Sequence, residues 1–113
     1  MELTLTYSKG QITGPGTCSI APNGIWIYLE HRTNGQLDVY LTVGAAQGGV
    51  GGGPITGGGH FGPEAARIRI YDLVLGGFTQ TEETEAELAP DLRSGQFTGT
   101  WSGQPLVADY TCS

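Results

Sequence analysis

Between Ile25 and Val43 the chain alternates apolar and polar residues, twice over. Ile25, Ile27 and Leu29 are interleaved with Trp26, Tyr28 and Glu30, and Leu37, Val39, Leu41 and Val43 with Asp38, Tyr40 and Thr42. A period of two belongs to a strand with one face buried and the other solvated. The intervening Thr33-Asn34-Gly35-Gln36 supplies the turn of a β-hairpin. A two-residue Asn34-Gly35 turn would set each apolar row beside its partner's polar row. A loop running from Asn34 to Gln36 cures this by pairing Leu29 with Leu41 and Ile27 with Val43. The sequence therefore predicts an odd loop or a bulge, with glycine at the left-handed position. It also predicts an outer face that gathers Trp26, Tyr28, Glu30, Tyr40 and Thr42.

The same alternation recurs along the chain. Leu3, Leu5 and Tyr7 share a parity, as do Cys18 and Ile20, and as do Leu106, Ala108, Tyr110 and Cys112. Ala66 to Asp72 and Gln96 to Trp101 read as further strands. Phe78 to Leu88 fits a short helix, since Thr84 to Glu87 matches a capping box, and equally an edge strand protected by charge. A strand is predicted, because its surroundings are strands. Turn residues fall at Gly10 to Gly16, Pro22 to Gly24, Gly76-Gly77, Pro90 to Gly95 and Ser102 to Pro105. Seven to nine short strands imply one all-β domain over residues 1–113, an antiparallel β-sandwich or a partly open barrel. Twenty glycines in 113 residues and only 14 % charged residues exclude a coiled coil, a long-helix bundle and a disordered acidic tail.

Ten of the nineteen residues from 44 to 62 are glycine, and no Asp, Glu, Lys or Arg occurs between Val39 and Pro63. Residues 44–63 are thus predicted as a long glycine-rich loop inserted into the domain. That loop carries His60 and Phe61, a candidate contact pair.

Eleven acidic residues against five basic ones give a net charge of −6. Lys9, Arg32, Arg67, Arg69 and Arg93 form no basic stripe, which argues against nucleic acid and against anionic membranes as partners. The sequence has no apolar run of the about 18 residues that a transmembrane helix needs. Met1 leads at once into a strand, so either the protein is cytosolic or a signal segment lies outside this sequence.

Cys18 and Cys112 sit near opposite ends with 93 residues between them. They are either a bridge or two free buried thiols. A bridge favours an oxidising compartment, and with it an extracellular or cell-surface location. Two cysteines and two distant histidines do not make up a metal site, and no cofactor is expected.

Sequences that suggest chemistry are sparse. Gly57 to Gly62 matches G-x-G-x-x-G, but a glycine tract precedes it where a dinucleotide site needs a strand. There is no G-x-S-x-G elbow for His31 or His60 to serve. Glu30 with Asp38 reads as a solvated sheet rim, and the Glu82 to Glu87 run lacks the ligand spacing of a calcium loop. The aromatic face of the hairpin, Trp26 with Tyr28 and Tyr40, is the best surface candidate, because rows of rings on a sheet stack sugars or seed protein interfaces.

The Gly14-Pro15-Gly16-Thr17-Cys18 turn, the Phe97-Thr98-Gly99-Thr100 segment and the terminal Tyr110-Thr111-Cys112-Ser113 resemble the actinobacterial exported lipoproteins typified by the mycobacterial 19 kDa lipoprotein antigen. The resemblance covers the last 45 residues or so and the first cysteine. It implies an exported β domain with a Cys18–Cys112 bridge, no enzymatic activity, and a lipid anchor on a cysteine upstream of Met1. The glycine-rich loop and the aromatic hairpin are not part of that pattern. The expectation is a non-enzymatic exported or cell-surface domain that binds a cell-envelope component, glycan or protein. The alternatives are a carbohydrate- or small-ligand-binding module, a subunit of a larger assembly, and a small enzyme with its site under the loop.

Overall fold

The computed structural model describes residues 2–8, 10–21, 24–29, 37–44, 57–72 and 76–112. Among these residues there are eleven strands and no helix. They are β1 (Glu2–Tyr7), β2 (Gly10–Pro15), β3 (Thr17–Ala21), β4 (Gly24–Leu29), β5 (Leu37–Gly44), β6 (Gly59–Phe61), β7 (Ala66–Asp72), β8 (Phe78–Gln80), β9 (Glu82–Leu88), β10 (Ser94–Trp101) and β11 (Gln104–Thr111). One sheet has six strands in the order β2-β1-β11-β10-β9-β6, and the other five in the order β3-β4-β5-β7-β8. Every pairing is antiparallel. Both sheets keep two edges, so the domain is a sandwich and not a barrel.

The core lies between the sheets, and the period-two pattern dictates its contents. Ile25, Ile27, Leu29, Val39, Leu41, Ile68 and Ile70 from the five-stranded sheet face Leu3, Leu5, Phe97, Leu106, Ala108 and Tyr110 from the six-stranded sheet, all with 2 % exposure or less. Each fully buried aliphatic or aromatic side chain contributes about 1.5–3 kcal/mol of transfer free energy.

Four expectations need correction. The hairpin pairs Leu29 with Val39, Ile27 with Leu41 and Ile25 with Val43, a shift of two residues from the predicted register. Such a shift keeps every side chain on its own face, so apolar patterning cannot tell the two registers apart. The predicted loop, Asn34 to Gln36, lies outside the described residues. Second, Gly10 to Pro15 is a strand, not a turn, because Ile12 pairs with Leu5 and buried Gly14 with Leu3. Third, Gly59–Phe61 at the end of the glycine-rich segment is an edge strand on β9, where Phe61 packs against the core. Residues 45–56 of that segment lie outside the described residues. Fourth, Phe78 to Leu88 is two strands in different sheets. This split, with β2 and β6, raises the expected seven to nine strands to eleven.

The chain changes sheets at that split. The Thr81 amide donates to the Ile68 carbonyl at 3.0 Å, and the Thr81 and Thr84 hydroxyl oxygens lie 2.6 Å apart, both residues being buried. Just beyond, Thr98 pairs with Glu85 but Thr100 with Glu82, so Glu83 and Thr84 bulge opposite Gly99. Glu83 takes a left-handed φ of 53° to make the bulge. At the other side the chain passes from β2 to β3 through Gly16. There Cys18 of β3 is bonded to Cys112 just after β11, with the Cα atoms 6.0 Å apart. The disulfide therefore joins the two sheets.

Candidate binding face

The outer face of the five-stranded sheet is built by register alone. With Ile25, Ile27 and Leu29 turned inward, Trp26 and Tyr28 point outward, and Tyr28 lies directly opposite Tyr40. The structure therefore brings together all three aromatic residues predicted for this face. The Tyr28 and Tyr40 rings have centroids 4.6 Å apart and planes 12° apart, and Trp26 lies 5.7 Å from Tyr28 at 31°. Near-parallel rings that close can only face one another. The two tyrosines thus turn a ring face toward each other and offer rims and hydroxyls outward. That differs from the flat row of platforms expected from the sequence.

Strand β7 extends the face. Its alternation turns Ile68 and Ile70 inward, and places Arg67 opposite Thr42, Arg69 opposite Tyr40 and Tyr71 opposite Asp38. One row across the sheet reads Thr17, Tyr28, Tyr40, Arg69, Gln80, and the next Ser19, Trp26, Thr42, Arg67. Trp26, Tyr28, Tyr40, Arg67 and Arg69 are half-buried, and Tyr71 is exposed. Thr42, between Trp26 and Arg67, is fully buried, and its hydroxyl has no hydrogen-bond partner among the described residues. The Tyr28 hydroxyl donates to Asp38 Oδ1 at 3.3 Å. Burial, then the Tyr40 hydroxyl, then the Asp38 carboxylate push the Tyr28 hydroxyl well above the ordinary tyrosine range, so it remains a protonated donor. Arg67 Nη1 donates to the carbonyls of Pro63 and Ala66, which ties its guanidinium group to the backbone.

Arg67, Arg69 and Tyr71 were not among the predicted site residues. Their common parity is visible in Ala66-Arg67-Ile68-Arg69-Ile70-Tyr71, but nothing local tells which strand lies beside β7.

The other predicted residues lie elsewhere. His60 stands on β6 opposite Glu87, on the outer side of the six-stranded sheet. Its Nδ1 is 2.6 Å from Glu87 Oε1 and its Nε2 3.0 Å from Glu85 Oε1. The hydrogen bond to Glu87 is the largest influence and raises its pKa; desolvation opposes it, and the charges of Glu87 and Glu85 add to the rise. His60 and Phe61 thus fasten a short strand to the sheet, His60 from outside and Phe61 from within. Gly57 to Gly62 runs into this strand and then a turn, without the helix that a dinucleotide site needs. No three His, Cys, Asp or Glu among the described residues are placed to hold a metal ion. Glu30 and His31 lie outside the described residues.

The outer face of the six-stranded sheet is mostly polar, with Pro15, Pro105 and Val107 among its described residues. Thr13 donates to Thr4 at 3.1 Å, Gln11 to Thr6 at 3.2 Å and Gln96 to Asp109 at 2.9 Å. Compared with protein-family models, curated proteins and solved structures, the chain gives no match.

Proposed function

We propose that this chain is an exported or cell-surface binding domain that works without catalysis and engages its partner through the outer face of the five-stranded sheet. The observation that carries this reading is the contiguous arrangement of Trp26, Tyr28, Tyr40 and Tyr71 with Arg67 and Arg69 on that face. Tyr, Trp and Arg are the residue types that concentrate binding energy, since they combine large area with polar tips. The opposite outer face, mostly Thr, Gln and carboxylates, carries no Tyr or Trp among the described residues. The Cys18–Cys112 bond supports an oxidising compartment, because bonds of this kind persist there and not in the cytosol. No helix among the described residues is long and apolar enough to cross a membrane. The resemblance to exported lipoproteins agrees with this placement.

The test is a screen of wild-type protein and Trp26→Ala against immobilised glycans and cell-envelope fractions. Binding that Trp26→Ala reduces at least about tenfold supports the assignment, since an anchor residue is worth 2 kcal/mol or more, roughly a factor of 30. Binding left unchanged by Trp26→Ala refutes it.

A further inference from the structure

We infer that the free edge of β3 pairs with β3 of a second copy of this chain, antiparallel and about a two-fold axis, so that two five-stranded sheets run on into one another. This contact is separate from the aromatic face and does not depend on it. The first ground is the state of the edges. Among the described residues the edge strands are β2 and β6 in one sheet and β3 and β8 in the other. An edge strand presents a row of backbone N–H and C=O groups that no neighbour pairs, and soluble proteins blunt such rows. Strands β6 and β8 are three residues long, and His60 on β6 is held between Glu85 and Glu87. Strand β2 contains Gly10 and Gly14 and ends at Pro15, which has no N–H. Strand β3 has none of these devices. Thr17 to Ala21 holds no charge, proline or glycine, and its five residues pair with β4 in unbroken register. Thr17 is exposed, and Ile20, on the core-facing row opposite Ile25, is 39 % exposed.

The second ground is charge, and it selects a second copy as the occupant. No Asp, Glu, Lys, Arg or His occurs from Gly10 to Leu29, the stretch that holds β2, β3 and β4. With a net charge of −6, two copies repel one another in most approaches. They meet at β3 without setting like charges side by side. A charged foreign strand finds no counter-charge there, whereas a second copy needs none. The third ground is self-complementarity. With the axis through Ser19, Cys18 and Ile20 of one copy lie opposite Ile20 and Cys18 of the other, and Thr17 lies opposite Ala21. Opposed residues of an antiparallel pair share a face, so both Ile20 side chains stay on the core side and lose exposed area. An isologous contact of this kind closes at two copies. It also brings both aromatic faces onto one surface, with the two β4 strands three strand spacings, about 14 Å, apart.

The test is sedimentation velocity of the full, disulfide-bonded chain from about 1 μM to 1 mM, a range that reads standard free energies of roughly −8 to −4 kcal/mol. Amide exchange of the same samples locates the contact. The expected result is a concentration-dependent dimer, strengthened by salt because salt screens the repulsion between copies. Protection of the β3 amides should rise with dimer population. Ile20→Lys, which sets a charge into the contact, should raise the dissociation constant at least about tenfold. Trp26→Ala should dimerise like the wild type. An unchanged melting temperature in dilute solution confirms that Ile20→Lys is folded, and Thr17→Lys serves as a second edge variant. A wild type that stays monomeric throughout overturns the inference. So does a dimer that both lysine variants leave intact, or one that protects the amides of β2, β6 or β8 in place of β3. A monomer whose β3 amides become protected only when a cell-envelope extract is added also overturns it, in favour of a foreign strand.

Discussion

Tyr28 and Tyr40 lie directly opposite each other on neighbouring strands, with ring planes 12° apart and centroids 4.6 Å apart. One ring face of each is occupied by the other, and the hydroxyls lie at the rims. A ligand that needs those hydroxyls is sensitive to Tyr40→Phe, which keeps the stack and removes one oxygen. We expect a loss of affinity of about 0.5–1.5 kcal/mol, with stability little changed. Titration of the variant with the ligand found for the wild type reads this out.

The Cys18–Cys112 bond closes a loop of 94 residues and ties β3 to the end of β11 across the sandwich. In the chain-entropy model its removal costs about 4–5 kcal/mol. Cys18→Ser with Cys112→Ser is expected to melt well over 10 °C below the wild type by calorimetry, since each kcal/mol shifts a domain of this size by roughly 4–8 °C.

His60 gives the fold a pH dependence of known sign. Its pKa in the folded state is raised above the ordinary 6.5 by Glu87 and Glu85. The folded state therefore holds the proton more tightly than the unfolded chain. The contribution is fully present below about pH 6.5, and is lost as pH rises through the raised folded value. The protection of the Gly59–Phe61 amides, corrected for the intrinsic base-catalysed rise in exchange, should fall over that window in the wild type, and His60→Gln should remove that fall. A His60 titration midpoint at or below 6.5 by NMR would contradict the assignment.

Gly99 faces the sheet-changing corner. A Cβ built there comes within 2.9 Å of the Thr81 hydroxyl oxygen and 3.1 Å of its Cβ. Since Thr81 is buried and held to Ile68 and Thr84, it has little room to yield. Gly99→Ala is expected to destabilise by about 1–3 kcal/mol in urea unfolding, the range for an overpacked core.

Phe97 is fully buried at the centre of the six-stranded sheet, 6.1 Å from the Tyr110 ring. Phe97→Ala should cost about 3–5 kcal/mol and Phe97→Leu markedly less, by the same measurement.

Much of the fold is legible in the sequence because period-two patterning fixes which residues face inward. It correctly separates Ile25, Ile27 and Leu29 from Trp26 and Tyr28, and sets Leu106 to Cys112 on one buried face. It also favours strand over helix for Glu82 to Leu88, where Thr84, Ala86 and Leu88 are buried and the glutamates exposed. Patterning does not say which strands are neighbours. That is why nothing in the sequence places Arg67 and Arg69 beside Tyr40. Nor does it fix register, since moving a strand by two residues preserves every face, as the pairing of Leu29 with Val39 illustrates. Glycine at 10, 14 and 59 signals turns, yet each of these residues lies within a strand.

The most direct test of the central claim sets the two outer faces against each other. Wild type, Tyr40→Ala and Thr98→Ala, the last on the opposite sheet, are compared on one array of neutral and acidic glycans and envelope polymers. The account predicts that the wild type and Thr98→Ala share the same bound ligands, and that Tyr40→Ala loses them. Retention by Tyr40→Ala, loss in Thr98→Ala, or no ligand bound by the wild type would contradict it.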